Sequence, residues 1–532
     1  MSDNTIKLLD CTLRDGGYVN DWNFGHSVIS GTYKRLDNSG VDFIEVGFLD
    51  DRRKYDIDRT IFPNTECLNK VFDSIESKRA IPVAMIDFGT CDIGNISDAK
   101  NSFVKGIRVI FKKEKIEQAL PFCKKIKEKG YLLFIQAISI TAYSDKDMLE
   151  YIEKINEIEP YAFSIVDTYG LLDSEKLEHY FKLINDNLNP VISIGYHSHN
   201  NFQLAFSNTI SFLKMFDGCR SLIADSTVYG MGKSAGNCAT ELLAMHMNNN
   251  YGKSYDLNMV LEIIDTDIMT IYMQQYWGYK YNFYIAAMQN CHPNYVQFLL
   301  DKKTLSVSSI NSILSAIPND KKLLYDEKYI VNSYKNYQHN IIDDSNTYEK
   351  LSYIKDKNIV LIGPGSSIKN YRNEINSYIL NNKSFVISLN FLPKDFNCDY
   401  VFLSNSKRYS RFADNVSSEN GTKIIATSNI QEVDYPIDMF FNYESLLIDT
   451  DNGNDNALLL LLRALIKLGV KSVALAGFDG FDCNNENYYD VSYCYVWEDN
   501  RNTNDFISKM LKTISSEIKI EFITPTLYNI ED

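Results

Sequence analysis

The feature that most constrains the fold is a regular alternation along the first half of the chain. From residue 6 to about 230, short apolar or β-branched runs recur: KLLDCTL, FIEVGF, IPVAMID, GIRVIF, LLFIQAISI, AFSIVD, ISIGYHSH and SLIADSTV. Between them lie longer amphipathic segments such as KEKIEQALPFCKKIKEKG and SDKDMLEYIEKINEIEP, with apolar residues at helical spacing and Gly or Pro near their ends. The runs suit strands and the segments suit helices. Eight strand and helix units in a little over 230 residues predict a TIM (β/α)8 barrel, with an open doubly wound sheet as the alternative. In a barrel, chemistry sits on the loops leaving the carboxyl ends of the strands, so every motif can be judged by its position.

At 532 residues the chain exceeds one ordinary core, and about two to four domains are expected. Residues from about 255 to 355 show helical patterns rich in tyrosine, as in YMQQYWGYKYNFYIAAMQNCHPNYV, without strand alternation. After Lys357 five further strand-like runs appear: NIVLIGPGSSI, SFVISLNF, CDYVFLSN, TKIIATSN and KSVALAGFDG. The expected architecture is a barrel domain at residues 1–290, a helical connector at 291–355 and a smaller Rossmann-like α/β domain at 356–532.

With 45% apolar and 23% charged residues, the chain has the composition of a packed globular protein. Its formal net charge of -15 repels phosphate backbones, which argues against nucleic acid as a partner. The ten cysteines form no CxxC pair, so reduced thiols are expected rather than a zinc cage or a disulfide framework. The opening MSDNTIKLLD has no basic and apolar leader, and the most apolar stretch, Ala457 to Leu468, is broken by Arg463. That stretch falls short of the about 20 residues a membrane span needs, so a cytoplasmic protein without a membrane span is expected.

Two motifs fall at the ends of predicted strands. Thr12-Leu13-Arg14-Asp15-Gly16-Gly17 follows the first and sets a carboxylate for a cation beside a guanidinium for an anion, with glycines that let backbone approach a ligand. His197-Ser198-His199-Asn200-Asn201 ends the seventh. Residues two apart on a strand share a face, so both imidazoles can point at one ion. One Asp and two His make a mixed oxygen and nitrogen set with positions left for substrate, suited to Mn, Mg, Co, Zn or a similar divalent ion.

Taken in order, TLRDGG, FIEVGF, VDTYG, HSHNNFQLA and DSTVYGMGKSAGN resemble the DRE-TIM metallolyase superfamily over residues 5–295. That superfamily includes 4-hydroxy-2-oxovalerate aldolase, 3-hydroxy-3-methylglutaryl-CoA lyase, isopropylmalate synthase and homocitrate synthase. The resemblance implies that Asp15, His197 and His199 bind the metal, with Asn237 as a nearby or additional ligand. It implies that Arg14 stabilises an enolate oxygen, that Thr168 hydrogen-bonds the substrate carboxylate and that Glu45 lines the pocket; structural roles are the alternative for Glu45 and Thr168. The tract is most similar to the oxovalerate-aldolase-like members, whose retro-aldol step needs a base for a hydroxyl proton and a metal for the pyruvate enolate. Those aldolases carry a proton-transfer histidine three residues after the motif aspartate, where this chain has Tyr18. Tyr18 itself, or Tyr281, Tyr284 or His292 from the tyrosine-rich segment, is the candidate replacement. The substrates implied are a 2-oxo acid and an aldehyde, with a homo-oligomeric assembly expected. A Claisen-type enzyme using an acyl-CoA is the runner-up, and a non-catalytic scaffold for glycan enzymes is the competing class.

In the second half, Gly363-Pro364-Gly365-Ser366-Ser367 follows a strand and precedes a helix, a place where backbone amides receive phosphate. Ile368 stands at the third glycine position of a dinucleotide fingerprint, and the next strand ends in Asn390 rather than an acid. IGPGSSI, SLN, YVFLSN and LAGFDG resemble, more weakly, the nucleotide-sugar domains of bacterial sialyltransferase-like and motility-accessory-factor-like proteins. That resemblance implies a nucleotide, or a nucleotide-sugar partner, at Gly363, Gly365, Ser366 and Asn390, and a link to surface-polysaccharide biosynthesis. A turn that binds nothing is the alternative.

Overall fold

A computed structural model describes residues 5–416, 422–431, 433–447, 456–482, 487–490 and 501–530. The chain divides into two compact units, Met1–Pro293 and Asn294–Asp532.

All eight predicted strands of the first unit form. They are β1 (Ile6–Asp10), β2 (Phe43–Leu49), β3 (Ile81–Asp87), β4 (Gly106–Ile110), β5 (Leu132–Ala137), β6 (Ala162–Asp167), β7 (Ser193–Ser198) and β8 (Leu222–Ser226). Each pairs in parallel with the next, and β1 pairs with both β8 and β2, so the sheet closes into a TIM barrel. A two-residue strand, Ile61–Phe62, adds to the edge of β2.

The helices form the outer ring because their apolar residues recur every three or four positions. Helix Asp145–Ile158 buries Met148, Tyr151, Ile152, Ile155 and Ile158 on one face. Each such side chain contributes roughly 1.5–3 kcal/mol when fully buried. Its start is set by a capping box in which Ser144 and Asp147 satisfy each other's backbone amides. Left-handed Glu159 ends it.

Inside the barrel the side chains form layers. Leu9, Phe43, Val83, Phe134, Ala162 and Ile223 make a dry apolar layer. Two residues further along the strands, on the same face, stand Glu45, Arg108, Gln136 and Asp225, all buried. The change from apolar to charged within one strand repeat places polar chemistry toward the carboxyl ends.

The second unit opens with helices, including Val307–Ser315 and Glu327–Gln338. It then builds a seven-stranded parallel sheet from β9 (Ile359–Ile362), β10 (Phe385–Leu389), β11 (Tyr400–Leu403), β12 (Lys423–Thr427), β13 (Met439–Phe441), β14 (Ser472–Ala476) and β15 (Lys519–Phe522). The order is β13-β12-β11-β10-β9-β14-β15. The five expected strands are present, and β13 and β15 are additional. Both are edge strands of three or four residues, too short for alternation to show in sequence. Among the described residues no helix is long and apolar enough to cross a membrane.

Candidate metal centre in the barrel

The TLRDGG turn folds back on itself at the end of β1. The amides of Arg14 and Asp15 both donate to the Cys11 carbonyl, and the Trp22 indole donates to the Arg14 carbonyl at 2.8 Å. A Cβ on Gly17 would lie 2.0 Å from the Trp22 ring, so that glycine serves the packing of the turn. The result is a buried Asp15, 2% exposed, with Arg14 beside it at 5%.

Asp15, His197 and His199 each direct a ligand atom into one buried group, with those atoms within 4.8 Å of one another. His197 Nε2 lies 3.5 Å from Asp15 Oδ2. The opposite nitrogen, Nδ1, meets Asp225 Oδ2 at 3.0 Å. A carboxylate on the far nitrogen fixes the tautomer and aims Nε2, the arrangement found behind metal-bound histidines. His199 Nδ1 and Asn237 Oδ1 are buried without any hydrogen-bond partner. A bridge between the backbones of His199 and Asn237 holds those two residues side by side. Orphaned acceptors next to a carboxylate carry a desolvation cost that a cation removes, so the residues present fit a divalent ion. Cys11, His197 and Asp225 form a second close group. There the thiol donates to the Ser226 carbonyl, burial raises its pKa well above the ordinary value, and His197 Nδ1 is already bonded. In that group the thiol and His197 Nδ1 are thus already engaged.

Beneath the centre runs a closed ring of charge. Arg14 Nε and Arg108 Nη1 both donate to Glu45 Oε2, at 2.7 and 3.0 Å. Arg108 Nη2 continues to Gln136 Oε1 at 3.1 Å and to Asp225 Oδ2. Asp225 leads to His197, His197 to Asp15, and Arg14 Nη1 closes the circle on Asp15. No member is more than 5% exposed. Two guanidinium groups face three carboxylates, which leaves one negative charge for a proton on His197 or for a metal ion.

The electrostatics follow from that ring. Burial would raise the pKa of Asp15, but Arg14 and the two histidines hold it well below the carboxylate range. Burial would lower His197, but Asp15 and Asp225 outweigh it and keep the imidazole above its ordinary value. His199 has no such hydrogen bonds; burial, with His197 and Lys233 adding to it, pushes it down to about 3. It is therefore a neutral nitrogen ready to ligate.

The remaining sequence candidates divide. Glu45 sits in the ring rather than at the surface of the site. Thr168, at the end of β6, accepts from the Ser139 amide at 2.8 Å and keeps its own hydroxyl proton to donate. Tyr18 packs on Trp22 and Phe48, with ring centroids 4.8 and 6.1 Å away, and is 41% exposed. Desolvation, against the opposing charge of Arg14, pushes its phenol up to about 12. Tyr284 is 41% exposed and its ring meets Phe202; Tyr281 is 55% exposed. His292 lies against Tyr169, the neighbour of Thr168, with centroids 6.1 Å apart.

In the second unit, Gly365 and Asn390 line a cleft of about 480 Å³, and Gly363 and Ser366 are not part of its lining. The Ser367 amide at the helix entry donates to Asp479 Oδ2 at 2.8 Å. A carboxylate of the chain thus occupies the amide that a phosphate would receive from this loop.

Arg108, Asp225 and Lys233 were not singled out from the sequence. The signal for the first two is a charged residue in the middle of an apolar strand, GIRVI and LIADS, on the inward-facing parity. Lys233 has no such signal. Asp225→Asn is expected to weaken metal binding by about 10–100-fold, read by calorimetry with Mn²⁺; unchanged affinity would mean that Asp225 does not orient His197.

Residues 5–267 match the HMGL-like family model. Oxaloacetate decarboxylase of Mycobacterium tuberculosis is 22% identical over 310 residues, covering 57% of this chain and 89% of its own. The 4-hydroxy-2-oxovalerate aldolase of Bacillus cereus is 23% identical over 275 residues, covering 50% and 77%. The solved HMG-CoA lyase of Bacillus subtilis aligns at 14% identity with a TM-score of 0.41, covering 50% of this chain and 94% of its own.

Proposed function

Because residues 5–267 belong to the HMGL-like family, we propose that the barrel is a divalent-metal-dependent lyase or aldolase that makes or breaks a carbon-carbon bond through the enolate of pyruvate or a similar 2-oxo acid. The observation that carries this reading is the convergence of Asp15, His197 and His199 at the carboxyl ends of β1 and β7, with Asn237 Oδ1 beside them. When bound there, the ion supplies Lewis-acid charge for a 2-oxo group.

The chain's own groups do the rest. Arg14 is anchored through Nε and Nη1 to Glu45 and Asp15, which leaves its Nη2 hydrogens to meet the developing enolate oxygen. Preorganised donors of this kind cost no reorganisation when the charge develops. Thr168 offers its hydroxyl proton to the substrate carboxylate. Tyr18 holds its proton too tightly to act as a base near neutral pH. His292 is the other candidate near this end of the site: burial, with Lys233 and Lys112 adding to it, pushes it down to about 4, so its imidazole is neutral near pH 7 but a weak proton acceptor until a substrate anion offsets the two lysines. The reaction is assigned to the barrel alone.

The test is exchange of the C3 protons of pyruvate in deuterated water, followed by NMR. Protein stripped of metal is expected to be silent and to regain exchange with one or more of Mn, Mg, Co and Zn. Exchange should fall steeply in Arg14→Met. Absence of exchange with every metal would remove the enolate reading.

A further inference from the structure

Lys233 sits on the loop leaving β8 and is tied to the metal centre by its backbone. Its amide donates to Asp15 Oδ1 at 3.0 Å, the oxygen that also receives Asn237 Nδ2 at 3.0 Å. The loop comes this close because residue 232 is glycine: a Cβ there would lie 2.6 Å from Asp15 Oδ1 and 2.1 Å from Asn237 Nδ2. The side chain then runs over Tyr18, with Nζ 5.4 Å from the ring centroid. Tyr18 is itself braced by Trp22 and Phe48. The residue standing where the related aldolases carry a histidine is thus a platform for an ammonium group, a contact that a neutral aromatic face favours and an imidazolium would oppose.

The half-buried Lys233 makes no ion pair among the described residues. Asp15 and Asp87 face it only at longer range, and Arg14 adds a like charge. An ammonium held partly out of water without a counter-ion carries a cost that an anionic ligand offsets. Depth decides which part of a ligand that is. Arg14 and Asp15 lie at the floor, at 5% and 2% exposure, whereas Tyr18 is 41% exposed and Asp87 is open to solvent. The 2-oxo acid end belongs at the floor, where Arg14 and the metal ligands are, so Lys233 faces the outer end. Because Asp87 shares that end, a singly charged group fits better than a phosphate dianion.

We infer that Lys233 is a specificity-determining residue that pairs with a second carboxylate, at the end of the substrate remote from the 2-oxo acid. The inference rests on the reading of the barrel as a 2-oxo acid site, and one experiment separates the two. Calorimetry on the whole, metal-loaded chain compares 2-oxoglutarate with 2-oxopentanoate, which has the same carbon chain without the terminal carboxylate. 2-Oxoglutarate is expected to bind on the order of tenfold more tightly. Lys233→Met, which keeps the apolar stem over Tyr18, should abolish that preference and leave 2-oxopentanoate unchanged. Lys233→Arg should retain it. Equal binding of the two acids by the unaltered protein, or equal weakening of both by Lys233→Met, would overturn the inference and leave the barrel reading standing. Binding of neither acid would overturn the inference, and absence of pyruvate exchange in the same metal-loaded protein would sink the barrel reading with it.

Discussion

Asp15→Asn is expected to eliminate metal-dependent proton exchange while leaving the barrel folded. The two carboxylate oxygens of Asp15 have different work. Oδ1 accepts from the Lys233 amide and Asn237 Nδ2, and an asparagine oxygen can continue to accept from both. Oδ2 faces His197 Nε2 and Arg14 Nη1. An amide nitrogen at that position removes the anionic ligand and turns a donor toward a nitrogen that must ligate. Since loss of an outer-shell partner alone costs about 10–100-fold in affinity, loss of the ligand itself should exceed about 100-fold. His197→Ala should behave in the same way, because Asp225 then has no imidazole to orient. Mn²⁺ calorimetry and pyruvate exchange read the two consequences, and circular dichroism reads the fold. Full exchange in either variant would remove the proposed centre.

The second large effect is structural. Arg108 is 1% exposed and reaches Glu45, Gln136 and Asp225 from the middle of β4. Arg108→Met fills similar space but leaves Glu45 with Arg14 alone and Asp225 with His197 alone, so that excess negative charge is stranded in a buried layer. Breaking a buried pair by removing one partner costs about 3–5 kcal/mol, and that loss is expected here in urea unfolding followed by tryptophan fluorescence. The double variant Arg108→Met, Glu45→Gln should recover part of the loss, because one of the stranded charges is then gone. A loss below about 1 kcal/mol for Arg108→Met would show that the ring is solvated and that its charges do not act as one unit.

The same ring explains the limits of the sequence reading. Strand and helix alternation is local, so the eight barrel strands were legible one by one, and the HSH spacing put two imidazoles on one face through the period of two. The placing of Arg14 beside Asp15 at the end of β1 was legible through TLRDGG. Glu45 was placed as a pocket-lining residue, but its partner Arg108 lies 63 residues away and Asp225 lies 117 residues beyond Arg108. No local pattern joins them. The glycines after Asp15 were expected to admit a ligand, and Gly17 instead admits Trp22. In the second unit the glycine turn was legible, but Asp479, which occupies the Ser367 amide, enters from the loop after β14, 112 residues later.

By itself the sequence determined the alternation of strands and helices, the second α/β unit and the placing of one Asp and two His at strand ends, because each of these is written in spacings shorter than one structural unit. Tertiary structure alone decided which nitrogen of His197 faces the centre, that the Lys233 ammonium stands over the Tyr18 ring, and that two arginines, three carboxylates and His197 close into one ring. Those outcomes depend on closing the barrel, which brings side chains from β1, β2, β4 and β8 within hydrogen-bond reach in a layer from which water is excluded. At such depth, charges separated by many tens of residues must satisfy one another or pay for being buried alone.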